Sequence, residues 1–315
     1  MKIDRPALTV LAILALSTAL QSYGIHRPWS GKDAGYNGAF YSILARNYAR
    51  YGFLTTRLGP VMNTGEARPH EFIYYLHHPP LLSILIALSF KAFGTQEWAA
   101  RLVPLCFSLF ALWILYLLSK NVWGEKIAIV ATAIASFIPM SLFYGSHVEV
   151  FGPVFLSFVL LTVYAYWKWL RTNQTRYLLL MLFAFCLGAL TEWDIYLLAL
   201  LLPMHAHFSK RGKRPVGKIL LLPCVAFLCF ALFLSHSYLL FGSAHVREYA
   251  KALTYRQRLE TVTTFSAAMT PEQTVQLPGP LQRMEGYFNW VLFGYTAPGS
   301  AVRRPNFIDW NLTQT

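Results

Sequence analysis

The sequence predicts an all-α polytopic membrane protein, with about seven transmembrane helices plus interfacial helices in the first outer loop. Three observations carry that prediction. Of 315 residues, 56% are hydrophobic and only 13% charged, whereas a soluble domain carries roughly a quarter charged residues. Apolar runs at 7–23, 102–119, 127–144, 150–169 and 219–241 are long enough, or nearly so, to cross a ~30 Å hydrocarbon core as helix. The basic residues gather between these runs on alternate sides, as the positive-inside bias requires. The net charge of +13 therefore reads as Lys and Arg flanking membrane spans, and nucleic acid is set aside as a partner.

The first run, 7–23, follows Lys2 and Arg5 in the manner of a secretory signal, but the many later spans make it a retained helix. Segment 81–93 follows two prolines, is short for a span, and carries Lys91 near its end. Stretch 177–207 is too long for one span and is interrupted by Glu192, Trp193 and Asp194. Charge decides how both are drawn. If 81–93 lies along the membrane surface and 177–207 is a hairpin turning at 192–194, one side collects the bases. With the N-terminus cytoplasmic, these are Lys2 and Arg5, Lys120 and Lys126, Lys168, Arg171 and Arg176, and the cluster Lys210, Arg211, Lys213, Arg214 and Lys218. The short opposite loops at 145–149 and 192–194 then contain no Lys or Arg. The expected organisation is a seven-helix module over 1–241 with an outer loop at 24–101, followed by an amphipathic outer-face tail at 242–315. Within the tail, 287–295 reads as interfacial. Cys106, Cys186, Cys224 and Cys229 all fall inside apolar runs and read as small core residues, neither bridges nor metal ligands.

The outer loops hold the chemistry-bearing residues. Asp33 stands before a segment in which Phe40, Ile43, Leu44, Tyr48 and Tyr51 recur at helical spacing, with Arg46 and Arg50 one turn apart. Such a helix would lie in the interface with its aromatic side toward lipid. Asp33 is read either as an ordinary helix cap or as a functional acid. His77-His78-Pro79-Pro80 opens segment 81–93, with the prolines fixing how the helix starts. For the two histidines, phosphate binding, metal binding and proton transfer all stay open; a shared metal needs further ligands. Glu149, Glu192 and Asp194 share the expected face with Asp33, near a hydrocarbon boundary where charge is costly. His205 and His207 read as structural. A glycine-rich phosphate loop and a cysteine metal motif are absent from the sequence, and Asn311-Leu312-Thr313 matches a glycosylation acceptor no better than chance.

These residues, taken in order, resemble a known group. Asp33 with its helix, His77-His78-Pro79-Pro80-Leu81, the run Phe93-Gly94-Thr95-Gln96-Glu97-Trp98-Ala99-Ala100-Arg101-Leu102, Phe143-Tyr144-Gly145 before Glu149, and Leu190-Thr191-Glu192-Trp193 look like the polyprenyl-phosphate-sugar-dependent membrane glycosyltransferases. That group includes the protein O-mannosyltransferases and the lipid A aminoarabinose transferases, which share the GT-C fold. The resemblance covers roughly 1–241. It departs from the protein mannosyltransferases where Ala34 follows Asp33 in place of a second acid, and where Ser146-His147-Val148 precede Glu149 without an arginine.

The resemblance implies an inverting transfer of a sugar from a polyprenyl-phosphate carrier to a glycan, lipid or protein acceptor. The site would lie on the periplasmic or extracellular face of a membrane, expected to be the bacterial inner membrane. It maps the catalytic acids onto Asp33 and Glu149, with Glu192 and Asp194 as supporting acids. The leaving lipid phosphate needs positive charge around it, for which His77, His78, Arg46, Arg50 and Arg247 are the first candidates, with Arg57, Arg68 and Lys251 behind them. A divalent metal stays open: some relatives coordinate one near the first-loop acid, whereas Arg and His alone can stabilise a phosphate. Rival readings from other classes are a lipid-linked-sugar carrier or flippase component, and a partner subunit of a larger transferase.

Overall fold

Apolar runs fold as helices until turn chemistry interrupts them, and the interruptions set the architecture. In the computed structural model of the chain, residues 5–29, 33–75, 77–209 and 216–257 are described, side chains excepted at 33–34, 216 and 241–257. The elements are α1 (Arg5–Gln21), α2 (Asp33–Tyr51), α3 (Leu81–Phe93), α4 (Glu97–Trp123), α5 (Glu125–Phe137), α6 (Pro139–Tyr144), α7 (Pro153–Thr172), α8 (Thr175–Ala189), α9 (Tyr196–Phe208), α10 (Val216–Ile219) and α11 (Leu221–Gln257). Gly124, with φ of 92°, separates α4 from α5 in a conformation that other residues resist. Pro139, lacking an amide hydrogen, splits the predicted 127–144 run into α5 and α6. Pro153 sets the first turn of α7, and Asn173 ends it in the left-handed region.

The protein is all-α and polytopic. Helices α4 and α7 and the stretch 217–240, which runs from α10 into α11, are each long and apolar enough to cross a membrane, and α1, α3 and α8 are shorter apolar helices. With α5–α6 and α9, and leaving α3 aside, they supply the about seven passes that hydropathy predicts. The 13 residues of α3 extend only about 20 Å, which suits the surface position expected of it. Stretch 177–207 folds as the expected hairpin, with α8 and α9 joined by a 3₁₀ turn at Trp193–Ile195.

One expectation is corrected. The apolar face of α2 does not turn to lipid: Tyr41, Leu44, Ala45 and Tyr48 are buried with Leu82, Ile86, Ala87 and Phe90 of α3. The apolar face of α3 needs cover, and α2 supplies the partner surface. Segment 52–75 is pinned onto the same helix. Asn47 Nδ2 donates to the carbonyls of Val61 and Asn63, both at 2.8 Å, and Tyr48 Oη donates to Leu58 O at 2.7 Å.

The chain divides into two units, Met1–Phe233 and Leu234–Thr315. In the first, α4 packs on α5 and α7, and α7 on α8. One buried cluster joins α2, α3 and α4 to Val148, Val150 and the start of α7. Another joins the rest of α7 to α8, α9 and the start of α11. In the second unit the described residues are the remainder of α11. The tail from 258 onward, with its expected interfacial segment at 287–295, lies outside the described residues, as do Lys210, Arg211, Lys213 and Arg214.

Candidate functional site

The site is assembled from four stretches far apart in sequence. The first is the N-terminal half of α2. Asp33 opens the helix; its side chain lies outside the described residues. Asn37 stands one turn further along, and its Nδ2 donates to Glu149 Oε2 at 2.6 Å. Glu149 belongs to the second stretch, the loop between α6 and α7, where its other oxygen accepts from the Val150 amide at 3.3 Å. Both carboxylate oxygens of Glu149 are thus held, so the group is oriented.

The third and fourth stretches meet where a histidine faces a carboxylate. His78 Nδ1 lies 2.6 Å from Glu192 Oε2, with side-chain exposures of 12% and 2%. The other oxygen of Glu192 accepts the Trp193 amide at 2.8 Å. Two further bonds tie the same segments: Trp193 Nε1 donates to His77 O at 3.0 Å, and the Leu81 amide to Leu190 O at 2.9 Å. The turn that carries Glu192 is itself tightly built. A Cβ at Gly188 would lie 2.0 Å from Ile195 Cδ1, so a side chain there has no room.

Tyr41 links the two acids. Burial first, then the hydrogen-bonded Tyr75 and the charges of Glu149 and Glu192, push its phenol well above the ordinary tyrosine range. Its hydroxyl therefore stays a neutral proton donor. Aromatic rings enclose the group: Tyr75 lies edge-on to Phe40 at 4.8 Å, His78 stands 6.1 Å from both Tyr75 and Phe151, and His77 lies 4.5 Å from His78. His147 stacks on Phe143 at 4.4 Å. Burial holds the His147 imidazole below its ordinary range, as does the nearby Arg101 guanidinium, so it is neutral near pH 7.

The predicted residues divide accordingly. Glu149, Glu192 and His78 come together beside α2, with His77 adjoining and exposed. Asp194 lies exposed in the 3₁₀ turn. Arg46 and Arg50 lie further along α2, about 14 and 20 Å from Asn37 by helical rise. There Arg46 Nη2 donates to Thr64 O at 2.7 Å and Arg50 pairs with Glu66. Arg57 occupies a left-handed turn, φ 51°, and Arg68 begins a short 3₁₀ turn. Arg247 and Lys251 fall in the part of α11 whose side chains are outside the described residues. His205 is held structurally, its Nδ1 2.6 Å from Tyr166 Oη.

Sequence reasoning missed Asn37, Tyr41 and Tyr75. Asn37 carried a signal, a polar side chain one turn after Asp33; the tyrosines did not stand out in an aromatic-rich helix. Arg101, quoted only as part of a motif, proves to be a buried anchor. It donates to the carbonyls of Ile25 and Arg27 and lies 3.9 Å over the Trp29 ring. Among the described residues no three His, Cys, Asp or Glu side chains gather closely enough to hold a metal ion.

Comparison with known proteins places this arrangement. The family profile described as dolichyl-phosphate-mannose-protein mannosyltransferase matches residues 77–239, about half the chain, and includes His77, His78, Glu149 and Glu192. An uncharacterized protein of Aquifex aeolicus (strain VF5) is 29% identical over 161 residues, which are 50% of this chain and 29% of that protein. The apo crystal structure of ArnT from Cupriavidus metallidurans aligns with a TM-score of 0.49 at 13% identity, over 89% of this chain and 48% of that one. The chain thus spans less than half the length of either protein.

Proposed function

Because this chain belongs to the dolichyl-phosphate-mannose-protein mannosyltransferase family, we propose that it is a glycosyltransferase moving a sugar from a polyprenyl-phosphate carrier to an acceptor hydroxyl. The reaction takes place at the membrane face formed by α2 and the 77–80, 145–152 and 190–194 segments. The observation that carries the reading is the convergence there of an oriented carboxylate, Glu149 on Asn37, and a carboxylate-bound imidazole, His78 on Glu192.

In the proposed step the acceptor oxygen forms a bond to the anomeric carbon as the bond from that carbon to the phosphate oxygen breaks, inverting the configuration. The acceptor's proton passes to a carboxylate, assigned to Asp33 at the head of α2. Glu149 fixes the acceptor or the sugar from the opposite side. The electron pair leaves on the phosphate oxygen, whose charge is met by His78 and, beside it, His77. Tyr41, held protonated by burial and hydrogen-bonded to Tyr75, lies within electrostatic reach of both acids. Lipid-linked donors suit such a site because nucleotide sugars are confined to the cytoplasm. The assigned face is the one opposite the cytoplasm, in a bacterial inner membrane, with the N-terminus inside.

The test is transfer from radiolabelled polyprenyl-phosphate sugars into total envelope material, comparing the native chain with Asp33→Asn. A loss of about 100-fold or more in the variant, with insertion and folding intact, is expected. Full activity in the variant removes Asp33 from the mechanism. Failure of both proteins to transfer any of a broad range of sugars favours a carrier or partner-subunit role.

A further inference from the structure

A carboxylate near a phosphate site is repelled by the very group the site binds, so a buried acid there needs a different task. Glu192 is such an acid, and we propose that it is a positioning residue for the donor: bound at Nδ1 of His78, it fixes the imidazole so that Nε2 is the nitrogen presented to the carrier phosphate. This deepens the proposed function and rests on it.

The geometry supports the assignment at three levels. One oxygen of Glu192 accepts the Trp193 amide at 2.8 Å, and the other lies 2.6 Å from His78 Nδ1. The acid is 2% exposed, so it has no surface from which to touch substrate itself. The backbone around the pair is fixed on both sides, by the Trp193 indole on His77 O and by the Leu81 amide on Leu190 O. The histidine and the acid are thus carried on segments locked together independently of their own contact.

The chemistry follows from what an imidazole can offer. As imidazolium it has two N–H donors; Nδ1 faces Glu192 at 2.6 Å, and Nε2 is left for a phosphate oxygen. The His77 ring lies 4.5 Å away, and Tyr75 and Phe151 at 6.1 Å carry no charge. Glu192 is a carboxylate in direct contact with the His78 ring. Stability alone gives little reason for such a pair, since a packed apolar pair of similar size serves a buried position as well.

The experiment measures binding of a polyprenyl monophosphate to the full chain in lipid nanodiscs, for the native protein, Glu192→Gln, His78→Gln and the double variant. Glu192→Gln is expected to weaken binding about 10-fold or more, the scale of a charged hydrogen bond. The double variant is expected to bind no more weakly than His78→Gln alone, because Glu192 acts through His78. In sugar transfer, the loss in Glu192→Gln falls on kcat as well as on the donor KM, because His78 also meets the charge that develops on the leaving phosphate. Binding by a folded Glu192→Gln within about 2-fold of native, or single losses that multiply in the double variant, overturns the assignment. Should Glu192→Gln not fold, Glu192→Asp keeps the charge but shortens its reach; it should lose affinity in the native background and not in His78→Gln, and any other pattern overturns the proposal. A native chain that binds no polyprenyl monophosphate defeats the proposed function itself. Native binding with an indifferent Glu192→Gln defeats only the positioning role.

Discussion

Where α4 and α7 end and α5 and α8 begin, the charged side chains are mostly cationic, Glu125 apart, and lie along the surface. Where α8 ends and α7 begins, the acids Glu192 and Glu149 are held by the protein, while Asp194 is exposed. At the first end Lys120 pairs with Glu125, Lys168 Nζ donates to Asn121 Oδ1 at 3.3 Å, and Arg171 Nη1 donates to Asn121 O at 2.6 Å. The cations also rest on rings, Arg171 over Trp167 at 4.9 Å and Arg176 over Tyr177 at 4.9 Å. Stems lie on apolar surface and charged heads stay at the edge, an arrangement that costs little. At the second end Glu192 is buried against His78, and Glu149 is clasped by Asn37. Charge so placed is expensive, and its partners are specific. The difference separates an end where charge rests at the surface from one where it is held by specific partners, and only the second offers groups placed for the proposed chemistry.

The comparison can be broken first at the α8–α9 hairpin. Gly188→Val drives a methyl into Ile195, whose Cδ1 already lies 2.0 Å from a built Cβ, and should destabilise the fold by about 1–3 kcal/mol. Because this turn carries Glu192, transfer should fall with it; a thermal-unfolding curve in detergent, unchanged from native, would show that the turn is more plastic than its packing. A smaller effect sharpens the account of Glu149. Asn37→Ala removes the amide that orients the carboxylate and should lower kcat about 10-fold without loss of folding. A kcat equal to native would leave Glu149 oriented by other groups.

Much of this was legible in the sequence because hydropathy and charge are local signals. The α8–α9 hairpin could be placed because Glu192, Trp193 and Asp194 interrupt an overlong apolar run, and α3 was readable as too short to span. The break at Pro139 was visible as a residue, but its effect on one continuous run was not. The side of α2 was misjudged because periodicity gives a helix an apolar face without saying what covers it; here α3 does. The site was legible as a set of acids and histidines on one face, not as pairs. Nothing local joins His78 to Glu192, or Asn37 to Glu149 across 112 positions, since those contacts exist only once the helices pack. Arg46 and Arg50 were grouped with the donor ligands by charge alone, whereas helical rise carries them away from Asn37 toward Thr64 and Glu66.

The most direct test sets the two ends against each other in one transfer assay, with activity normalised to correctly oriented protein. Glu149→Gln and the double variant Lys168→Gln/Arg171→Gln are measured beside the native chain. The account predicts a loss of about 100-fold or more for Glu149→Gln and native activity per oriented molecule for the basic-end variant. Full activity in Glu149→Gln, or loss in a basic-end variant that still inserts in the native orientation, would contradict it.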